Sequence, residues 1–165
     1  MTFQVRELGR REDILRSTGA VVDREYVVEP EVAGGLGDQT VLDRSRHPPI
    51  VKRLHYVFSG WMGDDIVESF PCFIVTSRLA EAIAAARLSG AEFDDVVISK
   101  DPQFVRFSME VANNLPAWRW LRPAGEPHAS DFWQQRPDGR LVVSERSLDV
   151  LRRFNLNHAE VVGVE

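Results

Sequence analysis

Two stretches of this chain repeat one pattern without a gap, and that repetition restricts the possible fold more than any other feature. Residues 73–93 align with residues 141–161, placing Val75 on Val143, Arg78 on Arg146, Leu88 on Leu156, Ala91 on Ala159 and Glu92 on Glu160. Similar pairs fall in step: Thr76 faces Ser144, Glu81 faces Asp149 and Ile83 faces Leu151. Each copy opens on a short apolar run, which suits a strand covered on both faces. A hydroxyl follows, Thr76 or Ser144, placed to accept from the free N–H groups of a helix start, a contribution of about 1 kcal/mol. Ala80, Ile83 and Ala86 then answer Leu148, Leu151 and Phe154 on one face of a helix of about three turns. Ser89-Gly90 or Asn157-His158 closes it; Gly90 reaches the left-handed conformation freely and His158 less easily. A second strand follows, Glu92 to Ile98 or Glu160 to Val164. Units of this length join neighbouring parallel strands. The expected fold is therefore α/β or α+β: a single domain over residues 1–165, with similar strand–helix–strand units at about 72–98 and 140–164 sharing one mixed sheet.

The other segments carry weaker signals. Residues 1–50 read as an irregular N-terminal part and residues 51–165 as the core. In the former, Phe3 to Leu8 alternates like a strand, Arg10 to Thr18 suits a short helix closed by Gly19, and Ala20–Val22 and Tyr26–Val28 are β-prone. Pro30 to Asp38 is a loop by composition, and His47-Pro48-Pro49 is a second breaker. Leu54 to Phe58 is dense in β-formers. A turn over Gly60–Asp65 brings Ile66 to Phe70 back to pair with it. Between the copies, Pro102 to Val111 predicts a short helix carrying Phe104, Phe107 and Val111. Leu115 to Leu121 predicts a strand with Trp118 and Trp120 on one face. Phe132 to Gln135 leads into a turn at Pro137-Asp138-Gly139.

Composition sets limits on function. A chain of 165 residues, 44% hydrophobic, can build one substantial core. No run approaches the ~20 apolar residues needed to cross a bilayer, and Met1 to Glu7 lacks the apolar centre of a secretory signal. The single cysteine, Cys72, permits no intrachain disulfide. These features point to a cytoplasmic protein with no membrane association. The net charge of −5 disfavours nucleic acid as a partner, because that affinity needs clustered Lys and Arg against phosphates.

No motif fixes a catalytic activity, so no catalytic residue, cofactor or metal is expected. Gly34-Gly35-Leu36-Gly37 lacks the Gly-Lys-Ser/Thr of a phosphate loop and reads as a flexible surface loop. His47, His55, His128 and His158 lack metal-ligand spacing and suit surface or capping roles. Cys72, inside an apolar run, reads as a buried inert thiol rather than a nucleophile paired with His55. The acidic groups Asp64, Asp65 and Glu68 flank Trp61, and Asp94-Asp95 follow the first helix. Paired carboxylates can do acid–base work or simply form a solvated turn. Beside an exposed Trp61 they suit a binding surface, where aromatic residues are over-represented.

Phe73 to Ile83 and Leu141 to Leu151 resemble the apolar strand, hydroxyl cap and amphipathic helix of a family of bacterial immunity proteins. That family belongs to polymorphic toxin systems and neutralises a co-encoded toxin by binding it. Val51 to Glu68, with its Gly60–Asp65 turn, is similar to uncharacterised relatives, so the resemblance covers about residues 50–165. It implies a non-catalytic protein-binding protein whose partner is a basic toxin domain, with no contact residue transferable by position. The candidate partner-binding residues are Trp61, Asp64, Asp65, Glu68, Trp118 and Trp120. The alternative is a small-molecule enzyme or ligand-binding protein of bacterial secondary metabolism. Its ligand would sit at Thr76-Ser77 and Ser144-Glu145, where strands end and helices begin. A structural subunit of a larger assembly is a third possibility.

Overall fold

The computed structural model describes residues 24–165, which form an α+β fold of thirteen strands and four helices. The strand expected at Phe3 to Leu8, the helix at Arg10 to Thr18 and the β-prone Ala20–Val22 lie outside the described residues. The strands are β1 (Glu25–Glu29), β2 (Gly34–Leu36), β3 (Val41–Asp43), β4 (Ile50–Arg53), β5 (His55–Phe58), β6 (Ile66–Ser69), β7 (Cys72–Thr76), β8 (Ala91–Asp94), β9 (Val97–Lys100), β10 (Trp118–Pro123), β11 (Phe132–Gln134), β12 (Leu141–Ser144) and β13 (Glu160–Gly163). The helices are α1 (Ser77–Ala85), α2 (Pro102–Phe107), α3 (Met109–Asn113) and α4 (Glu145–Leu151).

Both repeated stretches fold as strand, capped helix and strand. Thr76 Oγ1 accepts from Leu79 N at 3.4 Å, and Ser144 Oγ accepts from Ser147 N at 3.2 Å. The helices have nine and seven residues, shorter than expected. After α1 the chain leaves the helix through Arg87 at φ 55°, and Gly90 follows at φ 84°; His158 is not left-handed.

The expectation that the copies share a sheet is corrected. β6-β7-β10-β8 form one four-stranded sheet and β11-β12-β1-β13 another, and every pairing in both is antiparallel. The strands of each unit are parallel to one another but are not neighbours, because an antiparallel strand lies between them. Mixed pairing occurs in the smaller sheet β2-β5-β9, where β5 runs parallel to β9.

The repetition reaches further than the sequence shows. β10 lies between β7 and β8 in the same register that β1 takes between β12 and β13: Leu121 faces Phe73 and Phe93, as Val28 faces Leu141 and Val161. The hairpin β6–β7 matches β11–β12 likewise, with Ile66 opposite Val75 and Phe132 opposite Val143. Each repeat is thus a closing strand, a hairpin, a helix and a strand, with the closing strands exchanged. β1 precedes the first hairpin yet completes the second sheet, and β10 follows the first unit and completes its sheet.

Several expectations change with this topology. Residues 1–50 are not irregular throughout, since β1 is an inner strand of a sheet. Gly34-Gly35-Leu36 is a strand rather than a loop; a Cβ at Gly34 would collide with the Val57 carbonyl, so glycine lets β2 approach β5. Ile66 to Ser69 pairs with β7, not with Leu54 to Phe58. Glu92 to Ile98 is not one strand: β8 and β9 belong to different sheets. Pro102 to Val111 divides into α2 and α3 at Ser108.

Two apolar clusters meet at the β6–β7–β10 sheet. Ile66, Phe73, Val75 and Leu121 point to one side and join Val28, Phe132, Leu141 and Val143 of the other sheet, with Leu79 and Ile83 of α1 and Leu148 and Leu151 of α4. Val67, Cys72, Ile74, Trp118 and Trp120 point to the other side, against Tyr56 and Phe58 of β5 and Phe104 and Ala112 of α2 and α3. Segments inserted in the first repeat supply this second cluster. Because the clusters share a wall and the repeats exchange strands, the fold is expected to unfold as a unit. Leu151→Ala is expected to cost about 2–5 kcal/mol. It will shift the urea transition followed by tryptophan fluorescence together with that followed by circular dichroism, although Trp118 and Trp120 lie in the other cluster.

Candidate functional site

Two buried aspartates in equivalent places are each held by several hydrogen bonds. Asp65 precedes β6 and Asp131 precedes β11. Asp65 Oδ1 accepts from Thr76 Oγ1 at 2.6 Å and from Arg78 Nε at 2.9 Å, while Oδ2 accepts from Arg78 Nη2 at 2.8 Å and Asn155 N at 2.8 Å. Asp131 Oδ1 accepts from Ser144 Oγ at 2.6 Å, and Oδ2 accepts from Arg146 Nη2 at 3.0 Å and Ser89 N at 2.9 Å. Each clasp thus binds the hydroxyl cap and arginine of its own repeat and a backbone amide after the helix of the other. Burial alone would raise both carboxyls, but the arginine, hydroxyl and amide donors outweigh it and hold both below the usual carboxylate range.

These clasps consume the positions where a ligand was expected, since the Thr76 and Ser144 hydroxyls both donate to aspartate. Four predicted partner-binding residues are likewise not exposed, which corrects that expectation. Asp64 and Asp65 are buried, and Trp118 and Trp120 pack in the second apolar cluster. Charged side chains occupy the interior here because each finds donors there. Trp61 and Glu68 remain partly exposed. Trp61 stands edge-on to Trp118 at 5.7 Å and donates Nε1–H to the Asp64 carbonyl at 2.8 Å. Cys72 is buried and its thiol is pushed up to about 12 by burial, as an inert side chain requires. His55 is a core residue rather than a surface one, hydrogen-bonded to Ser99 Oγ at 2.8 Å and accepting from Gln39 N at 3.2 Å.

The structure brings Asp64 together with two residues that sequence reasoning left aside. Glu31 lies on the segment leaving β1, and its main chain forms a parallel bridge with Val67. His158 lies in the turn after α4. Carboxylate oxygens of Glu31 and Asp64 and a ring nitrogen of His158 lie within 4.8 Å of one another. Asp64 Oδ2 accepts from His158 N at 2.7 Å, and Asp64 Oδ1 lies 3.0 Å from His158 Nδ1. Glu31 Oε2 accepts from Met62 N at 3.0 Å, whereas Glu31 Oε1 is buried without a hydrogen-bond partner. Burial, with Asp64 nearby, raises the Glu31 carboxyl. No spacing motif joins these three residues, so the sequence held no signal for the group.

Glu68 stands close by, its N–H donating to the Glu31 carbonyl at 2.9 Å. Its carboxyl is pushed from the ordinary 4.5 to about 7 by burial, with Glu29 adding repulsion. Separately, a cavity of about 440 Å³ opens between the β7–β10 edge and the loops around Arg46 and Arg136. Models of known protein families do not match this sequence, and no curated protein matches it.

The clasps make stability depend on pH in a defined direction. Asp131 is lowered in the folded state, so its contribution is present above the unfolded value of about 3.9 and fades as pH falls through the folded value. Asp131→Asn is expected to destabilise by about 3 kcal/mol at pH 7, as loss of a hydrogen-bonded buried charge does. Urea midpoints measured from pH 7 down to pH 3 will fall less steeply in the variant than in the parent.

Proposed function

We propose that this protein is a non-catalytic protein-binding protein that neutralises a basic toxin domain. The observation that carries the reading is Glu68. Its half-buried carboxyl lies beside Glu29 and has no basic partner among the described residues, an unfavourable placement that a partner's Arg or Lys would relieve. Met62 and Val32, on the two segments that meet at Glu31, expose apolar side chains at 62% and 67%. Exposed apolar side chains on the segments that meet at Glu31, whose carbonyl takes the Glu68 amide, suit a basic anchor flanked by apolar contacts. The net charge of −5 favours steering of a basic partner. The resemblance of both strand–cap–helix units to immunity proteins supports a toxin as that partner.

A residue kept for binding at a cost to stability gives a two-sided test. Because Glu68 is raised in the folded state, its protonated form favours the fold below about pH 4.5, and that stabilisation is lost as pH rises toward about 7. Glu68→Gln is therefore expected to raise the urea midpoint at pH 8 and leave it unchanged at pH 4. The same substitution should weaken binding of the toxin encoded beside this gene by about 2 kcal/mol, or some thirtyfold, in calorimetry. Failure of any neighbouring gene product to bind at micromolar concentration would remove the proposal.

A second reading, a small-anion binder, is favoured by the cavity. Its size lies in the usual range for ligand sites, and Arg46, Arg122 and Arg136 line it. Citrate titrated into the protein should then show saturable binding that Arg136→Gln weakens and Glu68→Gln does not.

A further inference from the structure

We propose that Glu31, Asp64 and His158 form a binding site for one divalent transition-metal ion of the zinc class. This inference is independent of the partner proposed above. Two observations of different kinds support it. The first is convergence: three potential ligand atoms from three separate segments lie within 4.8 Å of one another. The second is Glu31, a residue only 7% exposed, whose Oε1 is buried with no hydrogen-bond partner although its Oε2 is satisfied by Met62 N–H. A buried carboxylate oxygen without a donor is costly, and an ion held between the three side chains supplies what it lacks.

The geometry fits the chemistry. Ligands held at about 2.0–2.2 Å from one ion sit about 3.0–3.5 Å apart when they share a tetrahedral or octahedral edge. Asp64 Oδ1 and His158 Nδ1 are separated by 3.0 Å. Asp64 Oδ2 is fixed by the His158 amide, as the second oxygen of a ligating carboxylate commonly is. Imidazole with two carboxylates selects a borderline ion over calcium or magnesium, which prefer all-oxygen sets. Asp64 is buried while the His158 side chain is 37% exposed, so the ion would be reached from the histidine side and keep a position open there.

The ion would join the exit of β1, the turn before β6 and the turn after α4, and so fasten the second repeat to the first. The experiment is calorimetric titration of the full chain, stripped with chelator, with Zn²⁺, and in parallel with Co²⁺ followed by visible absorption. One ion per chain is expected, with a rise in the thermal midpoint of about 5–10 °C at a hundredfold excess over Kd. His158→Gln, a change at the exposed ligand, and Glu31→Gln should each lower affinity more than about tenfold, since even outer-shell substitutions cost about 10–100-fold. The far-ultraviolet circular dichroism of His158→Gln should match the parent. Absence of saturable binding, or binding kept within about threefold in both variants, would overturn the assignment.

Discussion

The buried aspartate clasp is the interaction on which the fold depends. Taking a carboxylate out of water costs several kcal/mol unless donors replace the lost hydration. Asp65 and Asp131 each collect a hydroxyl, a guanidinium and a backbone amide. The hydroxyl also caps the helix of the same repeat, and the amide comes from the turn after the other helix. One carboxylate thus fixes where a strand ends, where a helix begins and how the two repeats sit against each other. This accounts for Arg78 and Arg146 coinciding in the sequence, since each guanidinium meets the aspartate of its own repeat. Apolar packing tolerates exchange of size between facing positions, whereas a charged group with fixed donors does not.

Exchange of the closing strands makes the halves inseparable. Neither sheet is complete without a strand from the other repeat, and both sheets and both helices enter one apolar cluster. What distinguishes the halves is the material added to the first. Residues between β1 and β6, and those between β8 and β10, build the second cluster on one face of one sheet. The unusual polar groups gather where this added material rejoins the repeat. Glu31 and Asp64 lie at the two ends of the first insertion, and His158 reaches them from the second repeat. The equivalent positions of the two repeats carry the satisfied aspartates, and Glu31, with its unpartnered oxygen, lies on the added material.

The sequence disclosed the units but not their arrangement. Thr76 and Ser144 announced helix starts because capping is local, and the alternation at Trp118 and Trp120 announced a strand because the period of two is local. The swap of β1 and β10 was illegible, because antiparallel partners are chosen by register across the whole chain. Val27 gives no sign that it matches Trp120. Gly34 and Gly35 looked like a loop because a strand of glycines has no side-chain signal; its reason lies in the closeness of Val57. Asp64, Asp65, Trp118 and Trp120 looked like a surface because burial of a polar residue depends on partners distant in sequence. Asn155 and His158, which satisfy the two aspartates, follow some ninety residues later.

The energetics of single carboxyls separates structure from function here. Asp65 and Asp131 are buried yet lowered, so the fold is built to keep them charged. Glu31 and Glu68 are raised: Glu31 lies near the His158 ring but is dominated by burial, and Glu68 has no basic side chain beside it among the described residues. A fold that satisfies two buried aspartates so fully has donors at its disposal. Leaving Glu68 next to Glu29 therefore weakens the isolated molecule without helping its packing. Proteins retain such local costs chiefly where something outside the chain compensates them. We propose that the raised carboxyls, rather than the acidic residues as a class, are where such an outside group would bind.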